Sequence, residues 1–290
     1  MTPGQSAGSL RRFDMGKRVF STVLLWSISG TALWFFRTTG ALVLIAGLSV
    51  LTLAEFYKLM RASGYPPFYK LGLCFGGLIT MAPVLEARLI IPTHFLLALA
   101  TVAFAVRLLG ERTPENRVES LCSTLFGLVY VSLMLQYLVR IVTPLPNDTI
   151  NPDGRLLLCL WLVAVAKFCD TGALLSGLAF GRHKMSPVIS PKKTWEGAAG
   201  GVLVAMGIAA TIAWLARGHL PPHMTPLVAA LMAIPIAALG IVADLVEAVL
   251  KRRANMKDSG AAIPGLGGFF DMSDSLILVA PVGYFLFRLP

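Results

Sequence analysis

Residues 225–253 read TPLVAALMAIPIAALGIVADLVEAVLKRR. The stretch 225–243 carries no charge, and a membrane-crossing helix needs roughly 20 mostly apolar residues. Asp244 and Glu247 then interrupt the run, and Lys251, Arg252 and Arg253 close it. An apolar run ending on a basic cluster reads as a span with its end in the cytoplasm. The rest of the chain follows the same pattern. Of its 290 residues, 56% are hydrophobic and 14% charged, and mean hydropathy is +0.74. A soluble domain of this length lacks the interior to hide that much apolar surface. A disordered or collagen-like chain is excluded for the same reason. The formal charge of +10 fits cytoplasmic loops rich in Lys and Arg better than nucleic-acid binding.

Nine runs have the length and composition of spans: 19–36, 40–56, 71–86, 89–106, 121–142, 156–178, 198–216, 225–249 and 274–289. The expected fold is therefore an all-α polytopic membrane protein of about nine transmembrane helices. With the N-terminus inside, eighteen cations fall in cytoplasmic segments and six outside, a bias that favours this orientation. Residues 1–18 read as a cytoplasmic tail rather than a signal peptide, because no small-x-small cleavage site follows a short apolar core. Residues 19–142 form an N-terminal helical region. Residues 143–290 form a second region, expected to be catalytic, with cytoplasmic loops at 180–197 and 250–273. The outside connector 143–154 is turn-rich. Cys74, Cys122, Cys159 and Cys169 lie in or beside apolar runs without CxxC spacing, so they read as small hydrophobes.

Ionisable residues inside spans are costly and point to function. Lys167 and Asp170 are three apart on the sixth run and share a helix face. Asp244, Glu247 and Lys251 line one face of the eighth. Adjacent carboxylates at low dielectric need a cation between them, and a hard divalent ion with oxygen ligands suits them. The stretch LKRRANMKDSGAAIPGLGGFFDMSDS (250–275) adds four cations, Asp258, Asp271 and Asp274. Its Pro264-Gly265-Leu266-Gly267-Gly268 segment reads as a tight loop whose backbone N–H groups can cradle phosphate. Carboxylates, cations and a glycine loop together suit metal-assisted phosphoryl or nucleotidyl transfer. The loop FGRHKMSPVISPKKTWEGAAGG (180–201) supplies further donors for a polyphosphate, Ser190, Lys192, Lys193 and Thr194 among them. An internal ion pair at Lys167–Asp170 and a helical Glu247–Lys251 pair are the purely structural readings.

Residues 167–201 and 243–275 resemble the phosphatidate cytidylyltransferases, or CDP-diacylglycerol synthases. The resemblance rests on Asp170-Thr171-Gly172-Ala173, Ser190-Pro191-Lys192-Lys193-Thr194-Trp195-Glu196-Gly197 and Asp244-Leu245-Val246-Glu247. It continues through Lys251-Arg252, Lys257-Asp258, Pro264 to Gly268, and Asp271-Met272-Ser273-Asp274. Four positions depart from the family pattern: Leu266 for histidine, Met272 for arginine, Ala248 for serine and Leu174 for tyrosine. The resemblance implies transfer of CMP from CTP to phosphatidic acid, giving CDP-diacylglycerol and pyrophosphate, with Mg²⁺ as cofactor. It implies Asp271, Asp274, Lys257 and Asp258 as catalytic residues. It places Ser190, Lys192, Lys193, Thr194, Lys251, Arg252, Gly265, Gly267 and Gly268 on the substrates. Asp244, Asp271 and Glu247 would hold the metal. The expected setting is multi-pass in a cell inner membrane, with the lipid bilayer and both substrates as partners and no nucleic acid. A homodimer is an open expectation. A CTP-dependent membrane lipid kinase and a non-enzymatic anionic-lipid transporter are the rival readings.

Overall fold

The computed structural model describes residues 3–110, 117–144, 150–256, 259–260 and 267–288. Ten helices dominate it: α1 (Pro3–Ala62), α2 (Tyr69–Thr80), α3 (Ala82–Leu89), α4 (Thr93–Leu109), α5 (Arg117–Gly127), α6 (Met134–Val142), α7 (Pro152–Phe180), α8 (Trp195–Leu215), α9 (Pro226–Arg253) and α10 (Phe269–Leu286). A π-helical turn, Leu128–Leu133, joins α5 to α6 without a break. Among the described residues six helices are long and apolar enough to cross a membrane, and up to seven if the bent pair α2–α3 is one span. Large apolar side chains such as Trp34, Ile90, Leu109 and Leu178 stand exposed on the helix flanks. Contiguous apolar surface on this scale belongs against lipid.

Fewer helices meet this length test than there are apolar runs, because some runs share one helix, one is bent and one helix is short. Runs 19–36 and 40–56 both fall on α1, which breaks at Arg37 (φ 43°, ψ −120°). A Cβ built on Gly40 would lie 2.3 Å from the Ala32 carbonyl oxygen, whereas eight residues of straight helix separate two positions by about 12 Å. The chain therefore folds back at Arg37, and only glycine fits at position 40. Run 71–86 is split by a 60° bend between α2 and α3, where Pro83 starts a new helix. Run 89–106 maps onto α4, which has 17 residues. Hydropathy counts apolar runs but is blind to such bends.

Helix starts follow the sequence closely. Asn151 caps α7 by accepting from Gly154 N at 2.6 Å, with Pro152 at the first position. Thr225 and Pro226 repeat the arrangement on α9. Small residues decide how the C-terminal helices pack. Gly197, Gly201, Ala205, Ala209 and Ala213 form a buried stripe along α8. A Cβ on Gly201 would meet the Cys169 carbonyl oxygen at 2.8 Å. Backbones of α7 and α8 thus approach closely, as small-residue stripes allow in membranes. Trp161 donates from Nε1 to the Ala209 carbonyl across the same contact (3.1 Å).

The loop expected over 180–197 contains a short antiparallel hairpin, β1 (Lys184–Ser186) with β2 (Ser190–Thr194). This corrects a purely helical reading at one place. Pro187 and Pro191 bar helix there, and the strand alternation separates exposed Lys192 from half-buried Lys193. At the opposite end of the bundle Arg37 pairs with Asp153, and Arg155 donates to the carbonyls of Ile141 and Thr143.

Candidate active site

α9 has 28 residues, about 42 Å at 1.5 Å per residue. That exceeds a hydrocarbon core of roughly 30 Å. Its charges, Asp244, Glu247 and Lys251 with Arg252 and Arg253, all fall in the last third. α10 starts beside it and brings Asp271 and Asp274 within its first two turns. α7 runs antiparallel to α10 and contributes Lys167 and Asp170 from its middle. The hairpin delivers Lys193. Residues far apart in sequence thus converge at one end of the bundle.

Each lysine of the group meets a carboxylate. Lys193 Nζ lies 2.5 Å from Asp244 Oδ2. Lys251 Nζ lies 2.9 Å from Glu247 Oε1 and 3.1 Å from Asp271 Oδ1. Lys167 Nζ lies 3.4 Å from Asp170 and 3.6 Å from Asp274, and it donates to Ser275 Oγ at 2.7 Å. The lysines also gather the carboxylates into pairs: Lys167 joins Asp170 to Asp274, and Lys251 joins Glu247 to Asp271. Three lysines face five carboxylates, Asp170, Asp244, Glu247, Asp271 and Asp274, which leaves an excess of two negative charges. Like charges this close demand a further cation or shared protons.

No three Asp, Glu, His or Cys side chains among the described residues form a metal cage by themselves. Mg²⁺ does not need one, since it commonly takes one or two carboxylates and completes its shell with water and substrate phosphates. Two carboxylate pairs and the excess negative charge fit that pattern.

Asp271 has a second duty. It accepts from Gly268 N at 2.9 Å and from Ser259 N at 3.2 Å, so it caps α10 while facing Lys251. Gly267 has φ 95°, and a Cβ there would lie 2.4 Å from Asp271 Oδ2. The glycine is required both by its backbone and by the close approach. Behind this loop sits Glu55 of α1, buried, accepting from Phe270 N at 2.9 Å and Ser259 Oγ at 3.1 Å. Thr52 supports the same turn through Ser273 Oγ (2.8 Å). Sequence reasoning missed Glu55. Its only signal was a lone acid closing an apolar run, which is ordinary at a helix end.

The other expected site residues divide by what they touch. Thr194 is buried and caps α8 through Gly197 N (3.1 Å), so its hydroxyl is committed to structure. Ser190 pairs in register with Ser186 at the hairpin tip. Arg252 Nε donates to the Ile189 carbonyl, tying the end of α9 to that tip. Lys192 points to solvent. Lys257, Asp258 and Gly265, with Leu266, lie outside the described residues. Met272, at the arginine position of the family pattern, is half-buried on α10. His183 Nδ1 lies 2.5 Å from Glu196 Oε1, and Glu196 also accepts from the backbone N–H groups of Arg182 and His183. That acid holds the hairpin's entry and stands apart from the carboxylate cluster.

Residues 16–289 match the model of the cytidylyltransferase family. A phosphatidate cytidylyltransferase of Synechocystis is 27% identical over 292 residues, covering 93% of this chain and 95% of its own. Phosphatidate cytidylyltransferase 5, chloroplastic, of Arabidopsis thaliana is 31% identical over 96% of this chain and 73% of its own. A phosphatidate cytidylyltransferase of Haemophilus influenzae is 34% identical over 49% of this chain and 50% of its own.

Proposed function

We infer the activity from one premise: the chain belongs to the cytidylyltransferase family. It transfers CMP from CTP to phosphatidic acid, releasing pyrophosphate and forming CDP-diacylglycerol for phospholipid synthesis. The observation that carries this reading is the meeting of three lysines and five carboxylates at one end of the bundle. Both substrates are anionic, and a lipid phosphate can reach such a site only from the bilayer surface.

A lipid phosphate oxygen attacks the α-phosphorus of CTP. The new P–O–P bond forms as the bond to the β-phosphate oxygen breaks, and the pyrophosphate leaves with that electron pair. The attacking phosphate is already ionised, so no triad or general base is needed. Lys251, Arg252 and Lys257 would receive phosphate charge, and backbone N–H groups of the glycine-rich segment carrying Gly265, Gly267 and Gly268 would donate to it. Ser190, Lys192 and Lys193 face the nucleotide, with Thr194 fixing the hairpin that carries them. Lys193 and Lys251 now rest on carboxylates and exchange them for phosphate oxygens when substrate arrives. Asp244 and Asp271, supported by Glu247 and Asp274, would hold Mg²⁺, whose contribution when bound is to polarise phosphate oxygens and neutralise leaving-group charge. Lys257 and Asp258, neighbours in sequence, would act with Asp271 and Asp274 as catalytic residues, on the strength of the motif resemblance.

The proposal extends to setting. The eighteen cations assigned to inside segments support an N-terminus in the cytoplasm, the nine apolar runs, with α1 broken at Arg37, support about nine crossings, and the expected setting is a cell inner membrane. Accessibility labelling of cysteines placed before residue 19 and within 143–154 tests the orientation. A homodimer is tested by crosslinking in native membranes.

The decisive experiment supplies purified protein with phosphatidic acid, Mg²⁺ and CTP labelled on cytosine. Label enters the lipid and pyrophosphate is released in equal amount. Label from the γ-phosphate in the lipid, with none from cytosine, would instead indicate a lipid kinase.

A further inference from the structure

Tyr130 lies in the π-helical turn between α5 and α6, outside every segment that resembles the family motifs. It is only 8% exposed. Its hydroxyl is buried and has no hydrogen-bond partner among the described residues. An orphaned buried hydroxyl costs about 1–3 kcal/mol, whereas phenylalanine would fill the same space without that cost. π-Helical turns themselves recur at functional sites because they trade backbone hydrogen bonding for side-chain placement. The ring is fixed by stacking on Phe126 (5.3 Å between centroids, 16° between planes) and by Phe56 at 6.0 Å. Phe56 in turn packs on Phe270 at the start of α10. The phenol is within electrostatic reach of Asp274 and Glu247.

We propose that Tyr130 is a substrate-binding residue whose hydroxyl donates a hydrogen bond to the phosphate of the lipid substrate. The lipid is favoured over the nucleotide by position. The α5–α6 span packs chiefly on α1, α2 and α10, away from α8 and the hairpin that carries Lys193. Phe126, stacked on Tyr130, and its neighbour Val129 stand exposed on the flank of this span, where lipid would lie. Tyr130 thus stands between that flank and, through Phe56, the start of α10, which carries Asp271 and Asp274. The inference rests on the proposed lipid phosphate acceptor, so its test includes a binding readout.

The experiment compares Tyr130→Phe with the unaltered chain in mixed micelles, varying phosphatidic acid and CTP separately. A hydrogen bond to a charged group is worth about 1.5–3 kcal/mol, and 1.4 kcal/mol is tenfold. The expected result is at least a tenfold rise in KM for phosphatidic acid, with KM for CTP changed less than twofold. Retention of the variant on phosphatidate-containing vesicles should weaken by a similar factor, and its thermal midpoint should not fall. An unchanged lipid KM, a rise confined to CTP, or a lowered midpoint accompanied by equal losses toward both substrates would each overturn the assignment. If the unaltered chain turns over no lipid, the reaction assignment fails, and the vesicle comparison still decides whether Tyr130 contacts a lipid phosphate.

Discussion

Asp271→Asn separates two duties that one side chain performs. The native carboxylate accepts from Gly268 N at 2.9 Å and Ser259 N at 3.2 Å, and it faces Lys251 at 3.1 Å. Asparagine has the same shape and retains one acceptor oxygen, so most of the cap survives. What disappears is the charge opposite Lys251, a contact of about 1.5–3 kcal/mol for a hydrogen bond to a charged group. Lys251 keeps Glu247 at 2.9 Å, which limits the stability loss to about 2 kcal/mol. Catalysis should suffer more. Removing one electrostatic stabiliser of a transition state typically costs 10²–10³ in kcat, about 2.7–4 kcal/mol. Asp271→Ala goes further, because it also strips the cap, worth about 1 kcal/mol. The assay is CTP- and Mg²⁺-dependent formation of CDP-diacylglycerol, with thermal unfolding measured on the same detergent preparations. The expected pattern is a modest thermal shift for Asn, a larger one for Ala, and at least a hundredfold loss of turnover in both. Should Asp271→Asn retain a tenth or more of normal turnover, Asp271 would be a helix cap and its assignment to Mg²⁺ would fall.

Other expectations probe the frame around this residue. Gly268→Ala should reduce both yield and turnover more than tenfold, because the added Cβ would lie 2.1 Å from Glu55 Oε2 and 2.4 Å from Ser259 Oγ; normal folding of that variant would show that the loop yields easily. Glu55→Ala removes two acceptor contacts from a buried site and should cost about 3 kcal/mol, whereas Glu55→Gln, which keeps an acceptor for Phe270 N, should lose about half as much in a chemical melt. Lys167→Met leaves Asp170 and Asp274 without their shared cation, so turnover should drop at least a hundredfold while Lys167→Arg recovers part of it; equal activity in both variants would reduce the lysine to a packing element. Chelation with EDTA should stop turnover and added Mg²⁺ should restore it, and activity that survives thorough chelation would remove the metal from the scheme. At the far end, Arg37→Gly should leave turnover unchanged and keep or raise the melting temperature, because the exposed pair with Asp153 contributes under about 1 kcal/mol and the backbone there (φ 43°) suits glycine.

Fold class was legible because hydropathy is local and additive: an apolar run seeks lipid or a core wherever its neighbours end up. Helix starts were legible for the same reason, since Asn151-Pro152 and Thr225-Pro226 act over three or four residues. How the runs bend was less so. The fold-back at Arg37 and the bend before Pro83 depend on which helices lie alongside. Within the site, the acids of α9 and α10 declared themselves by being charged where charge is costly. Their assignment to partners did not follow from spacing. The helical rule pairs Glu247 with Lys251, and the structure keeps that pair but adds Asp271, twenty positions on, to the same lysine.

By itself, the amino-acid sequence determined that this chain lies in a membrane, that its scarce acids gather toward one end, and that they sit among motifs resembling a cytidylyltransferase. Only the tertiary structure decided that Lys167 serves Asp274 across 107 positions, that Glu55 of the first helix holds the turn before the last, and that Tyr130 packs through Phe56 onto the start of that last helix. The physical reason is one of range. Transfer to lipid is scored residue by residue along the chain, whereas pairing of charges and satisfaction of buried polar atoms are settled within about 3 Å, by whichever helix the packing places there.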